Sequence, residues 1–122
     1  MSPSVVLLAS DPKTAQTLAG GLGSHFHSVV LANSREELRE KIAKNRPEAV
    51  VLDVEYSRLT DVQNLHQDFP TLPIVCTHRI PDEELWMAAL EAGASDVCPS
   101  DDAENVVRSV LRSVDRSRGS AA

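Results

Sequence analysis

The sequence predicts an α/β fold: five βα units wound into one parallel sheet with helices on both faces. Three observations carry this. Short apolar runs alternate with longer stretches of helical period. The runs are continuous rather than alternating, as strands covered on both faces require. The crossovers are about 20 residues long, the length that a helix needs to return the chain to a parallel, right-handed neighbour.

The first run is Val5-Val6-Leu7-Leu8-Ala9. Asp11 followed by Pro12 is an N-cap with proline at the first helical position. Ala15, Leu18, Ala19 and Leu22 then repeat at i, i+3, i+4, i+7. Gly20, Gly21 and Gly23 close this helix instead of following the first strand, so they read as a stop and not as a dinucleotide loop. The second run, Val29 to Ala32, leads to Ser34 and Glu37 at capping-box spacing and to a helix marked by Leu38, Ile42 and Ala43. Pro47 ends it. The third run, Ala49 to Leu52, ends in Asp53, and the weakest helix follows on Val62, Leu65 and Phe69, stopped by Pro70.

The fourth run is Pro73 to Thr77, and its helix carries Leu85, Ala88, Ala89 and Ala92. Gly93 stands where the chain needs a left-handed C-terminal residue. The fifth run, Asp96-Val97-Cys98, is the weaker one. Asp101 and Glu104 have capping-box spacing before Val107, Val110, Leu111 and Val114. This last helix is acidic at its start and basic toward its end, matching the macrodipole. The domain is expected to span 1–116, with 117–122 a small, polar tail or the start of a linker.

Composition excludes several classes. The 122 residues make one domain, 42% hydrophobic and 25% charged, which is ordinary for a globular protein and unlike a disordered one. A net charge of −6 argues against a broad nucleic-acid or anionic-membrane surface. No apolar run approaches the roughly 20 residues of a membrane span, and Met1-Ser2-Pro3-Ser4 lacks the basic start of a signal peptide. Cys76 and Cys98, each inside an apolar run on neighbouring strands, read as buried thiols of a reducing compartment, so a cytoplasmic location is expected. His25 and His27 flank Phe26 without a third ligand nearby, and His66 falls on the outer side of its helix, so none suggests a metal centre.

Sites of doubly wound folds lie at the carboxyl ends of the strands. There this chain places Ser10 and Asp11, Asp53 and Glu55, Thr77, His78 and Arg79, and Pro99, Ser100 and Asp101. Asp53 is the sharpest feature, because a carboxylate on a strand buried on both faces is costly unless solvated, paired or metal-bound.

On the segments Val5 to Asp11, the strand ending in Asp53, Pro73-Ile74-Val75 and Ala89-Leu90-Glu91-Ala92-Gly93-Ala94-Ser95-Asp96, the chain resembles a CheY-like response-regulator receiver domain over residues 5–115. The resemblance implies a flavodoxin-like strand order, 2-1-3-4-5. It also implies that Asp53 occupies the position that accepts a phosphoryl group from a histidine kinase, with Mg2+ held by Asp11, Asp53 and the Glu55 carbonyl. Several positions depart from the family's pattern. Ser10 stands where a second carboxylate is usual, which weakens the Mg2+ site. His78 falls on the switch Ser/Thr position, Val97 on the aromatic one and Ser100 on that of the lysine. Ser57 and Asp61 stand where a proline and a glycine are usual. The only lysines are Lys13, Lys41 and Lys44, none of them after the fifth strand. Arg79 and His78 are the groups able to replace part of the lost charge and hydrogen bonding.

The resemblance therefore implies an atypical receiver, not an enzyme in itself. It would signal through protein contacts with weak or absent phosphorylation at Asp53; the alternative is a working phosphoacceptor with Mg2+. Its partners would be a histidine kinase or a downstream signalling protein, with no nucleic acid or membrane, and the chain a monomer or weak dimer. Trp86, outside its helix's apolar stripe, is the expected centre of a partner surface that includes Val97 and Arg108, with Arg112 one turn further on. A flavodoxin-type or nucleotide-binding enzyme is disfavoured, since Ser10-Asp11-Pro12-Lys13 lacks the glycine of a phosphate-cradling loop.

Overall fold

The computed structural model describes residues 3–9, 11–54, 58–79 and 82–121. Five strands, β1 (Ser4–Leu8), β2 (Ser28–Leu31), β3 (Ala49–Asp53), β4 (Ile74–His78) and β5 (Asp96–Pro99), alternate with five helices. These are α1 (Pro12–Gly23), α2 (Arg35–Asn45), α3 (Leu59–Asp68), α4 (Glu83–Ala92) and α5 (Ala103–Ala121). All strand pairs are parallel, in the order β2-β1-β3-β4-β5.

Period-two alternation sorts each apolar run onto two faces. Val6, Leu8, Val50, Leu52, Ile74, Cys76 and Val97 pack under α2, α3 and α4, against Leu38, Ile42, Val62, Leu65 and Ala89. Val5, Leu7, Ala49, Val51, Val75 and Cys98 pack against Leu18 and Leu22 of α1 and Val106, Val107, Val110 and Val114 of α5. A fully buried leucine such as Leu7 contributes about 1.5–3 kcal/mol by leaving water, and both faces are filled this way. The unbroken runs in the sequence follow from this.

Several local expectations are corrected. β2 is an edge strand, paired on one side only, and only its middle is half-buried: Leu31 is 44% exposed. Ala43 is exposed, since Leu38 and Ile42 alone define the inner line of α2. The inner face of α5 runs through Val106, Val107, Val110, Ser113 and Val114, with Leu111 only partly buried. Its first turn is capped by Asp102, which accepts from Asn105 N at 3.1 Å; Asp101 lies one residue too early. Ser34 does cap α2, but Glu37 returns its carboxylate to Asn33 N and not to Ser34. Cys76 and Cys98 lie on opposite faces of the sheet, because Cys98 is in register with Thr77, one residue beyond Cys76. The expected tail is helical as far as Ala121, and Ser117 Oγ donates to the Thr71 carbonyl at 3.1 Å, tying that turn to the α3–β4 loop.

Gly93 ends α4 with φ 120°, a conformation that only glycine adopts without strain. Asp82, which the sequence did not single out, caps the start of α4 by accepting from Glu84 N and Leu85 N. Among the described residues no helix is long and apolar enough to cross a membrane.

Candidate functional site

Parallel strands deliver their carboxyl ends to one pole, and the ladder decides which residues meet there. Asp53 is in register with Thr77, and Val54 N donates to the Thr77 carbonyl at 3.0 Å. One residue further, His78 pairs with Pro99, and its carbonyl accepts from Ser100 N at 2.8 Å. Asp53, His78 and Ser100 thus stand at the carboxyl ends of three adjacent strands. Asp11 follows β1 on the other side of β3. The pole is dry for so polar a set: Asp53 is 0%, Thr77 1%, His78 2% and Ser100 7% exposed. Ser10, Glu55 and Ser57 lie outside the described residues.

Asp11 is held as the cap of α1. Oδ1 accepts from Thr14 N and Oδ2 from Thr14 Oγ1, both at 2.8 Å. Those two bonds, the backbone one first, hold its carboxyl below the usual aspartate range, against a small opposing effect of desolvation. The Lys13 amide and the positive charge of Arg79 add to the lowering. Arg79, at the end of β4, therefore bears electrostatically on Asp11 across the end of β3.

Alternation turns His78 toward α4 and Thr77 toward the opposite layer. The His78 ring meets the Trp86 indole, with centroids 6.2 Å apart and planes at 49°. The tilted contact places an aromatic lid over a buried imidazole.

Mg2+ takes carboxylate, carbonyl and water oxygens in near-octahedral geometry. Among the described residues no group of three His, Cys, Asp or Glu side chains forms a metal cluster. The one carboxylate offered by β1 already accepts two bonds from Thr14. Asp11 and Asp53 are the carboxylates of the expected Mg2+ site that the structure describes.

Two partner-surface expectations are corrected. Val97 is 2% exposed, because alternation on β5 turns it into the layer beneath α4. Arg108 is exposed, but it pairs with Glu104 at 3.4 Å and borders the α1–α5 groove with Gly21, Ser24 and His25, away from α4. Trp86 is 40% exposed, alongside Met87 at 60% and Leu90 at 40%. The last two escaped the sequence reading, although the stripe arithmetic that set Trp86 apart applies equally to them. Also missed was a cluster on β5: Asp96 accepts from Val97 N and Ser109 Oγ and pairs with Arg112 at 3.5 Å. His25, His27 and His66 are exposed. Burial pushes the Cys76 thiol up to about 12, helped by the nearby Asp53 charge, and also raises Cys98, against the lowering effect of its hydrogen bond with Ser109.

A parallel 2-1-3-4-5 sheet whose central strand ends in a buried aspartate defines a receiver-type α/β domain. No family model matches the chain. It is 31% identical over 101 residues to the response regulator MprA of Mycobacterium leprae, covering 78% of this chain and 43% of that protein. With MprA of Mycobacterium tuberculosis (strain H37Rv) it shares 30% over 105 residues, 81% of this chain and 44% of the relative. It therefore spans less than half the length of these relatives.

Among solved structures, a putative response regulator from Chloroflexus aurantiacus matches with TM-score 0.83 and 26% identity, over 93% of this chain and 98% of that one. A CheY-like receiver domain protein from Methanospirillum hungatei matches with TM-score 0.86 and 13% identity, over 98% and 99%. The chain thus has the fold of a CheY-like receiver domain and is similar in sequence to response regulators.

Proposed function

We propose that this receiver domain is atypical and works chiefly as a protein–protein interaction module, with weak or absent phosphorylation at Asp53. One observation carries the reading. The Asp53 carboxylate is wholly buried, and at the same pole, one strand beyond its neighbour β4, β5 ends in Ser100 instead of a cation. Phosphoryl transfer depends on neutralising charge spread over the equatorial oxygens, which a serine hydroxyl does not do. Ser10 in place of a second carboxylate before Asp11 adds to this. In this reading the domain has no catalytic turnover of its own, and its partners are proteins: a kinase or a downstream signalling component that binds near α4.

The second reading, a working phosphoacceptor, is favoured by one feature. Arg79 places a positive charge at the same pole and is able to take over part of the missing neutralisation. The two readings separate on intact-protein mass after incubation with acetyl phosphate and Mg2+, beside Asp53→Asn and a metal-free control. The proposal expects no added phosphoryl mass. A gain that needs both Asp53 and Mg2+ overturns it and restores relay chemistry.

A further inference from the structure

Helix α4 is built inside out. Its only fully buried residue is Ala89 and Leu85 is half-buried, while Trp86, Met87 and Leu90 are 40%, 60% and 40% exposed. At 100° per residue these three share one outer face, with Glu83 in line one turn before Trp86 and Met87. Together they make an exposed apolar patch on one face of the helix.

The helix and its cap carry one sign of charge. Asp82, Glu83, Glu84 and Glu91 are all exposed, and α4 has no basic residue. On the neighbouring β5–α5 layer, Arg112 is spent on Asp96 and Arg108 on Glu104. A second copy laid α4 against α4 would bring two sets of carboxylates together, a repulsive arrangement.

We infer that the outer face of α4 is a docking site for a protein segment with apolar anchors and a lysine- or arginine-rich rim, an amphipathic basic helix in its simplest form. This rests on the interaction-module reading and names the chemistry of its partner. The apolar anchors would cover Trp86, Met87 and Leu90, and the basic rim would answer the four carboxylates. Charge complementarity of this kind sets specificity and association rate, while the apolar centre supplies the affinity.

The test uses two synthetic helical peptides with identical leucine anchors at i, i+3, i+4 and i+7, one rimmed by lysine and the other by glutamate. Trp86, the only tryptophan, reports binding directly. The expected result is a blue shift of its emission with the lysine peptide alone, amide-shift changes mapping to α4, and affinity falling about tenfold between about 50 and 300 mM salt. Met87→Ser/Leu90→Ser should abolish binding without altering charge, which separates a specific face from general attraction to an acidic protein. Glu83→Gln/Glu91→Gln should keep the apolar contact and flatten the salt dependence.

Equal binding of both peptides at α4, or preference for the glutamate peptide, overturns the partner chemistry and leaves the module reading intact. Binding of neither, or binding that survives the double serine variant, overturns the docking site itself. A dimer of the chain alone that Met87→Ser dissociates overturns it in favour of self-association.

Discussion

Replacing Gly93 by alanine tests the geometry of the α4–β5 turn at a single atom. Gly93 has φ 120°, outside the range L-residues accept, which costs about 1–3 kcal/mol once a Cβ is present. The added Cβ would also lie 2.5 Å from His66 Cγ and 2.7 Å from His66 Cβ and Cδ2. Rotating the imidazole away relieves the contacts with Cγ and Cδ2 but not that with Cβ, which is fixed to α3. The helix itself must shift, at the roughly 1–3 kcal/mol typical of overpacking. The sum is about 4 kcal/mol, a drop in Tm on the order of 15 °C for a domain of this size. Urea unfolding of Gly93→Ala, His66→Gly and the double variant separates the two causes. The cycle should return a coupling of about 2 kcal/mol, with the strain still present in the double variant. A single-variant loss below about 0.5 kcal/mol at unchanged m would refute the left-handed turn. A cycle without coupling would refute the His66 contact.

The cap of α5 and the buried thiols offer two further checks. Asp102→Ala should cost about 1 kcal/mol by chemical denaturation, while Asp101→Ala, one residue before the cap, should stay within about 0.5 kcal/mol; the reverse ranking would mean the helix starts earlier. Cys76, with its thiol raised to about 12, should resist iodoacetamide at pH 8 in the folded protein and react once unfolded, as read by peptide mass. The same shift carries a stability sign. The unfolded thiol ionises near 9 and the folded one near 12, so the unfolded state holds fewer protons in between. Stability should be unaffected by this group below pH 9 and fall by about 1.4 kcal/mol per pH unit above it, a slope that Cys76→Ala removes.

Much of this molecule was legible in one dimension. Continuous apolar runs, three helical stripes, Asp11-Pro12 and Gly93 are local signals, since each depends on neighbours within a turn or a strand; they determined five βα units, and with them the pole where any site must lie. The resemblance carried by Asp53 and the Ala89–Asp96 segment added the strand order. Other features depended on which elements meet, and no local pattern encodes that. Only the sheet register put Cys98 on the face opposite Cys76 and turned Val97 inward under α4. Strand order left β2 at an edge, with Leu31 in solvent despite an apolar run that looked fully buried. Helix packing then decided that Arg108 faces the α1 side, and that α4 buries an alanine while showing Trp86, Met87 and Leu90 to the outside. The physical reason is that propensity and capping act through the backbone over a few residues, whereas burial is set by distant segments competing for the same surface.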